Sequence, residues 1–163
     1  MVLSESPPPH DRWIGMAIEL AVNNVLSGHG GPFGAVVVRD GTLISEGTNV
    51  VTTQNDPTAH AEIVAIRRAC EVLGTFELRD CVIYTSCEPC PMCLGAIYWA
   101  RMEAVYFAAT HQDASKSGFD DSFIYEEMVR PIAARKLKMI QVPLQGSNRS
   151  FEAWKAQPNR VND

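Results

Sequence analysis

With 163 residues and 46% apolar content, the chain is about one domain's worth and can bury a sizeable core, and no apolar run is long enough to cross a bilayer. The net charge of −5, with no basic cluster, speaks against a nucleic-acid partner, whose phosphates demand a positive face, and suits a small neutral substrate. Five cysteines, an odd number, and an N-terminus (MVLSESPPPH) without an export signal point to a reducing, cytoplasmic compartment and to metal or redox use.

Residues 1–9, with three consecutive prolines, are expected to be a disordered lead-in. Residues 11–27 carry Trp13, Ile14, Ala17, Leu20, Ala21 and Val25 at helical spacing, stopped by Gly28. Residues 33–38 and 43–48 are apolar and β-branched, and Asp40-Gly41 between them marks a hairpin. The spacing of Ile63, Ile66, Cys70 and Leu73 predicts a helix over 58–73, with Pro57 placed for its first turn.

A buried strand is expected at 81–85, a helix at 91–100 and a strand at 104–108. A helix at 121–129, a last strand at 138–142 and a short helix at 150–156 complete the order. Strands alternating with helices after one hairpin predict an α/β domain with a mixed, mostly parallel sheet of five strands. With helices on both faces it forms a three-layer α/β/α sandwich. No linker or repeat divides 1–163, so one domain is expected.

The informative cluster is His60-Ala61-Glu62 and Pro89-Cys90-Pro91-Met92-Cys93. Catalytic zinc takes three protein ligands and keeps a fourth place open. His60, Cys90 and Cys93 supply such a set, for one Zn²⁺ per subunit. Two thiolates and a neutral imidazole balance the metal's charge, and a water there is acidified to a pKa of roughly 7. Glu62 is placed to take that water's proton and pass it to a substrate ring nitrogen. A Cys-x-x-Cys alone is as readily a structural zinc site or a redox pair. Cys87 reads as a packed thiol, since a fourth protein ligand would close the site. Cys70 and Cys81 read as core. Asn49, at a strand end, is equally a turn former, and Asp120-Asp121 contains a candidate helix cap. His111 reads as a loop histidine, and Tyr98 and Trp99 as core or interface aromatics.

The His-x-Glu and Pro-Cys-x-x-Cys pattern is the signature of zinc deaminases as a class. Four stretches, GGPFGAVVVRDG, NDPTAHAEIVAIRRAC, YTSCEPCPMCLGAIYWAR and GFDDSFIYEE, resemble the bacterial guanine deaminases of the cytidine-deaminase-like superfamily. The first three are shared more loosely with tRNA adenosine deaminases and cytosine deaminases; the fourth is more specific. The resemblance implies hydrolysis of guanine to xanthine and ammonia. It implies Asn49 as a hydrogen-bond partner of the purine and Asp121 as an acid that contacts the amino group and shuttles a proton. It implies Phe33 as a pocket wall, with the backbone at Ala61 and Glu88 lining the pocket. It also implies a homodimer in which the segment at about 143–163 is exchanged between subunits. In the family an aromatic at or near the C-terminus closes over the base, whereas here the last aromatic is Trp154. The alternatives are guanosine or another aminopurine as substrate, tRNA adenosine deamination, and a zinc scaffold without catalysis. Acidity and GFDDSFIYEE disfavour the tRNA reading, and Glu62 disfavours the scaffold.

Overall fold

The computed structural model describes residues 9–162. Most of the expected lead-in, residues 1–8, lies outside them. Pro9 opens α1 (Pro9–Leu26), a position where its fixed φ and missing N–H cost nothing. The chain separates into two compact units, Met1–Phe123 and Ile124–Asp163.

In the first unit, β1 (Gly34–Arg39) and β2 (Thr42–Thr48) form the expected hairpin. Its two turn residues, Asp40 and Gly41, have φ of 50° and 70°, the left-handed pair that matches strand twist in a two-residue loop. A short α2 (Val51–Gln54) precedes α3 (Ala61–Leu73). Then come β3 (Cys81–Cys87), α4 (Pro91–Trp99), β4 (Ala104–Ala109) and α5 (His111–Lys116). The sheet order is β2-β1-β3-β4.

The sheet is mixed, as expected, but not mostly parallel. β1 runs antiparallel to β2 and to β3, and only β3 and β4 pair in parallel. The β2–α3–β3 connection passes over β1. The hairpin's first strand therefore sits between two strands that run the same way, and turns both of those ladders antiparallel. α4 then carries the chain between the adjacent strands β3 and β4, a crossover long enough to keep them parallel.

β1 is covered on both faces, which is why its residues are apolar without alternation. Ala35 and Val37 face a core built with Ala61, Ala65, Ile66 and Ala69 of α3 and Ile97 of α4. Val36 and Val38 face the opposite way, onto Trp13 of α1 and Tyr84 of β3. These are the three layers. Cys81 is buried in the first core and Cys70 packs against it. Each large apolar side chain fully buried here contributes roughly 1.5–3 kcal/mol relative to exposure.

The expected fifth strand at 138–142 does not form among the described residues: that segment has no ladder partner and is irregular. Ile140 and Val142 are β-branched and favour a strand, but a strand exists only as one side of a paired ladder, and Pro143 closes the segment. The sheet therefore has four described strands. The second unit holds most of α6 (Ser122–Met128), a single 3-10 turn (Ile132–Ala134) and α7 (Arg149–Ala156). It is tied by polar contacts more than by a core. The Arg135 guanidinium donates to the carbonyls of Met128 and Arg130, and the Lys136 N–H donates to the Glu127 carboxylate. Leu137, Ile140, Phe151 and Trp154 are all exposed.

Candidate metal centre and substrate cavity

Two helix starts meet in the first unit. His60 is the N-cap of α3 and Cys90 the N-cap of α4, each with an extended backbone and no side-chain capping hydrogen bond. An N-cap ordinarily spends its side chain on the first free N–H groups; here both side chains are left to face each other. Pro91 occupies the first helical position of α4, where no N–H is needed. Cys93 lies one turn on and is fully buried. The sequence places His60 inside the first turn of a longer helix. The structure starts that helix at Ala61 instead, because 55–58 turn back on themselves around Asp56, whose carboxylate accepts from the Thr58 N–H and hydroxyl.

β2 presses closely on α3 to set this geometry. A Cβ on Gly47 would lie 2.1 Å from the Ala61 carbonyl oxygen and 2.6 Å from the Ala65 nitrogen, so only glycine permits the approach. The Ser45 hydroxyl donates to the Ala65 carbonyl at 2.7 Å just beside it. Ala61, between His60 and Glu62, is buried at this contact.

His60 Nδ1 lies 3.6 Å from Cys90 Sγ and 3.5 Å from Cys93 Sγ, and the three donor atoms lie within 4.8 Å of one another. A tetrahedral zinc with Zn–N of about 2.05 Å and Zn–S of about 2.3 Å would set N and S about 3.6 Å apart. The donor set therefore fits zinc in spacing and in chemistry. Without a metal the three groups share protons. A hydrogen bond from Cys93, with others from His60, pushes the Cys90 thiol down to about 4. The Cys90 sulfur in turn raises His60 above the usual imidazole value and, with burial, raises Cys93. A divalent cation resolves that competition by letting both sulfurs be thiolates and the imidazole neutral.

Cys87 stays apart from the trio. Its thiol donates to the Thr110 carbonyl at 3.5 Å, and burial pushes it up to about 11. It is the packed thiol expected, and it leaves the fourth metal position to a small molecule.

His60 and Cys90 of the trio open onto a cavity of about 280 Å³ lined also by Phe33, Asn49, Glu62, Glu88, His111, Phe119 and Asp121, among others. Glu62 is almost wholly buried, and burial raises its carboxyl above the usual carboxylate range. Asp121 is raised for the same reason, and its Oδ1 is buried with no hydrogen-bond partner. Asp120 differs: hydrogen bonds from the Ser122 side chain and from its N–H, the latter at 3.0 Å, hold its carboxyl below the usual range. Both acids line the cavity, but Asp120 serves the start of α6 while Asp121 keeps a buried, unpaired Oδ1. Asn49 is buried, with Oδ1 in a long contact to the Val51 N–H at 3.4 Å.

Glu88 ties the ligand loop to the chain leaving β4. Its N–H donates to the Ala109 carbonyl at 2.8 Å, and its carboxylate accepts the His111 N–H at 3.0 Å. The structure adds two residues not singled out as pocket residues in the sequence, Phe119 and His111. The Phe119 ring stands edge-on to Phe33, with centroids 5.0 Å apart. His111 begins α5, a helix absent from the expected order because its six residues have no apolar stripe. The readable signal was Thr110-x-x-Asp113, a capping box that the structure forms in full. A larger groove of about 540 Å³, lined mainly by apolar residues of α1, β4 and α5, shares the Phe33 and Phe119 walls. It holds none of the metal donors.

Residues 8–109 match the family described as the cytidine and deoxycytidylate deaminase zinc-binding region. The chain is 56% identical over 151 residues to the guanine deaminase of Bacillus subtilis, covering 93% of this chain and 97% of that protein. It superposes on the X-ray structure of guanine deaminase from Bacillus subtilis with a TM-score of 0.92, covering 94% and 98% of the two chains. A tRNA-specific adenosine deaminase of Aquifex aeolicus is 46% identical, but over 48% of this chain and 52% of that one.

Proposed function

Because this chain belongs to the cytidine and deoxycytidylate deaminase zinc-binding family, and within it to the guanine deaminases, we propose that His60, Cys90 and Cys93 hold its zinc and that Glu62 and Asp121 move the protons of guanine hydrolysis. The protein is a zinc-dependent deaminase that converts guanine and water to xanthine and ammonia. The observation that carries the assignment of roles is a cavity of about 280 Å³ where His60 and Cys90, two of the three clustered metal donors, meet the buried Glu62 and the half-buried Asp121. Ligand pockets commonly span about 300–1,000 Å³, so this one is sized for a base without its sugar.

Held by His60, Cys90 and Cys93, zinc would supply Lewis acidity that brings the pKa of a water molecule down to roughly 7. Glu62 accepts that water's proton and delivers it to the ring nitrogen beside the amino-bearing carbon. The oxygen bonds to that carbon. The remaining proton goes to the amino nitrogen, the C–N bond breaks, and ammonia leaves. Asp121, with an unpaired buried oxygen, accepts from the amino group and relays that second proton. Asn49 reads the polar edge of the purine. Phe33 is a wall for the ring, and the backbone at Ala61 and Glu88 completes the lining. Buried partners left unpaired by a wrong base cost about 1–3 kcal/mol each, which sets guanine above cytosine and adenine.

The assembly is a homodimer in which the segment after Val142 packs on the partner. Supporting this are Phe151 and Trp154, exposed on their own unit, and the open apolar groove of the first unit. Tyr98 and Trp99, exposed rather than core, supply further apolar surface. None of the described helices is long and apolar enough to cross a membrane. A cytoplasmic site is supported by five free cysteines, two of them metal donors. Ammonia release from guanine, guanosine, cytosine, adenine and tRNA tests the substrate. The expected order is guanine first, other aminopurines and guanosine weaker, and no release from tRNA. A better kcat/KM for cytosine or for tRNA adenosine would overturn it.

A further inference from the structure

We propose that Asn24, on α1 and not among the cavity-lining residues, is a positioning residue that sets Asn49 for the base and so governs substrate affinity. The inference rests on the reading that Asn49 binds the purine.

Asn49 lies one residue beyond the end of β2, where the ladder no longer holds the backbone. Its N–H donates to the Phe33 carbonyl at 3.2 Å. Its carbonyl accepts from Asn24 Nδ2 at 2.7 Å, in a bond buried from solvent. The same nitrogen donates to the Gly31 carbonyl at 2.9 Å. A carboxamide nitrogen carries two hydrogens, and both are spent on carbonyl oxygens. The amide cannot be turned over without setting oxygen against oxygen, so its orientation is fixed. The Asn24 carbonyl meanwhile accepts the His29 N–H at 3.0 Å. One residue, 5% exposed, thereby joins the end of α1, the turn at 30–31 and the end of β2.

Gly30 shows how close this junction is. A Cβ there would stand 2.0 Å from the Asn49 carbonyl oxygen and 3.1 Å from Asn24 Nδ2. Gly31 faces the Asn49 side chain itself, 3.4 Å from its Oδ1 in the same sense. Among the described residues the Asn49 side chain has a single hydrogen bond, the long Val51 contact, so its aim depends on the backbone that Asn24 grips. A residue kept only to satisfy two carbonyls would matter for stability and not for the substrate.

The test is a double-mutant cycle on the zinc-loaded enzyme. KM and kcat for guanine, zinc content and melting temperature are measured for wild type, Asn24→Ala, Asn49→Ala and the double variant. Asn24→Ala is expected to raise KM by roughly tenfold with zinc content unchanged. In the Asn49→Ala background it should raise KM no further, because its effect runs through Asn49. If Asn24→Ala accumulates poorly, Asn24→Ser, which keeps one donor, should show the same pattern with a smaller rise. An unchanged KM in a folded, zinc-loaded Asn24 variant overturns the proposal, as do two KM effects that simply multiply. If Asn49→Ala itself leaves KM unchanged, the purine-binding role of Asn49 is what has failed, and this inference falls with it.

Discussion

Cys90 Sγ stands 3.6 Å from His60 Nδ1, although thirty residues separate them in the chain. Each caps a different helix, and β2 and β3 run the same way, so the chain leaving their C-terminal ends brings the two caps together at one end of the sheet. The relationship dictates how the site takes up metal. In the metal-free chain hydrogen bonds from Cys93 and His60 bring the Cys90 thiol down to about 4, while the Cys90 sulfur raises His60 and, with burial, Cys93. Zinc needs all three deprotonated, so binding near pH 7 should release about one to two protons. Both raised groups are more fully protonated as pH falls, so zinc competes less well in acid. Apparent affinity should drop by roughly ten- to a hundredfold per pH unit below neutrality. Calorimetric titration of the stripped enzyme with zinc, in buffers of different ionisation enthalpy, counts the protons. Uptake with no proton release would contradict the ligand assignment.

Glu62 is expected to matter for rate and not for metal. It is buried beside the trio without belonging to it. Glu62→Gln keeps the side chain's size but cannot accept a proton, so kcat should fall by at least ~10²–10⁴-fold while one zinc per chain remains. Elemental analysis of the purified variant accompanies the kinetics. Near-normal turnover by zinc-loaded enzyme would remove Glu62 from its role.

Much of this centre was legible before the fold was. His60, Glu62, Cys90 and Cys93 announce themselves because metal and proton chemistry admit few residue types and fixed spacings. The hairpin was legible through Asp40-Gly41, and the α3 stripe through Ile63, Ile66 and Cys70. What the sequence concealed is of another kind. The α5 helix is too short and polar to carry a period, so His111 and its bond to Glu88 had no signal beyond a capping box. The segment at 138–142 has the β-branched Ile140 and Val142 of a strand, but local composition cannot supply a ladder partner. Nor can spacing show that β1 inserts between β2 and β3, which decides the direction of two pairings. Asn24 reads as one more polar residue on a helix, and its contact with Asn49 exists only in three dimensions.

Gly47 offers a test of the packing that holds α3. Any side chain there meets the Ala61 carbonyl at 2.1 Å, and backbone cannot yield as a flexible side chain does. Gly47→Ala should push the first turn of α3 away from β2, at a cost of about 1–3 kcal/mol or more. His60 caps that turn, so zinc occupancy should fall along with the melting temperature. Thermal melts with and without added zinc separate the two effects. A Gly47→Ala variant that melts as wild type and binds zinc fully would show that α3 is not held by this contact.

The neighbouring acids Asp120 and Asp121 give the sharpest contrast, because one carboxylate is spoken for and the other is not. Asp120 accepts the Ser122 N–H at 3.0 Å, a bond that asparagine makes equally well. Asp120→Asn should therefore keep most of the turnover and the fold. Asp121 has Oδ1 buried, unpaired and beside the cavity. Burial raises its carboxyl, which brings it nearer to the range where it can both take and give a proton at neutral pH. An amide at that position can accept from the amino group of guanine but cannot carry the proton onward. Asp121→Asn should thus leave zinc bound and KM little changed, while kcat falls by roughly 10²-fold or more. The measurement is kcat and KM for both variants on guanine, with zinc content alongside. Equal losses in the two variants would mean that the segment matters only as a helix start. A loss in Asp121→Asn that appears in KM alone would make Asp121 a binding residue and leave Glu62 as the sole proton carrier.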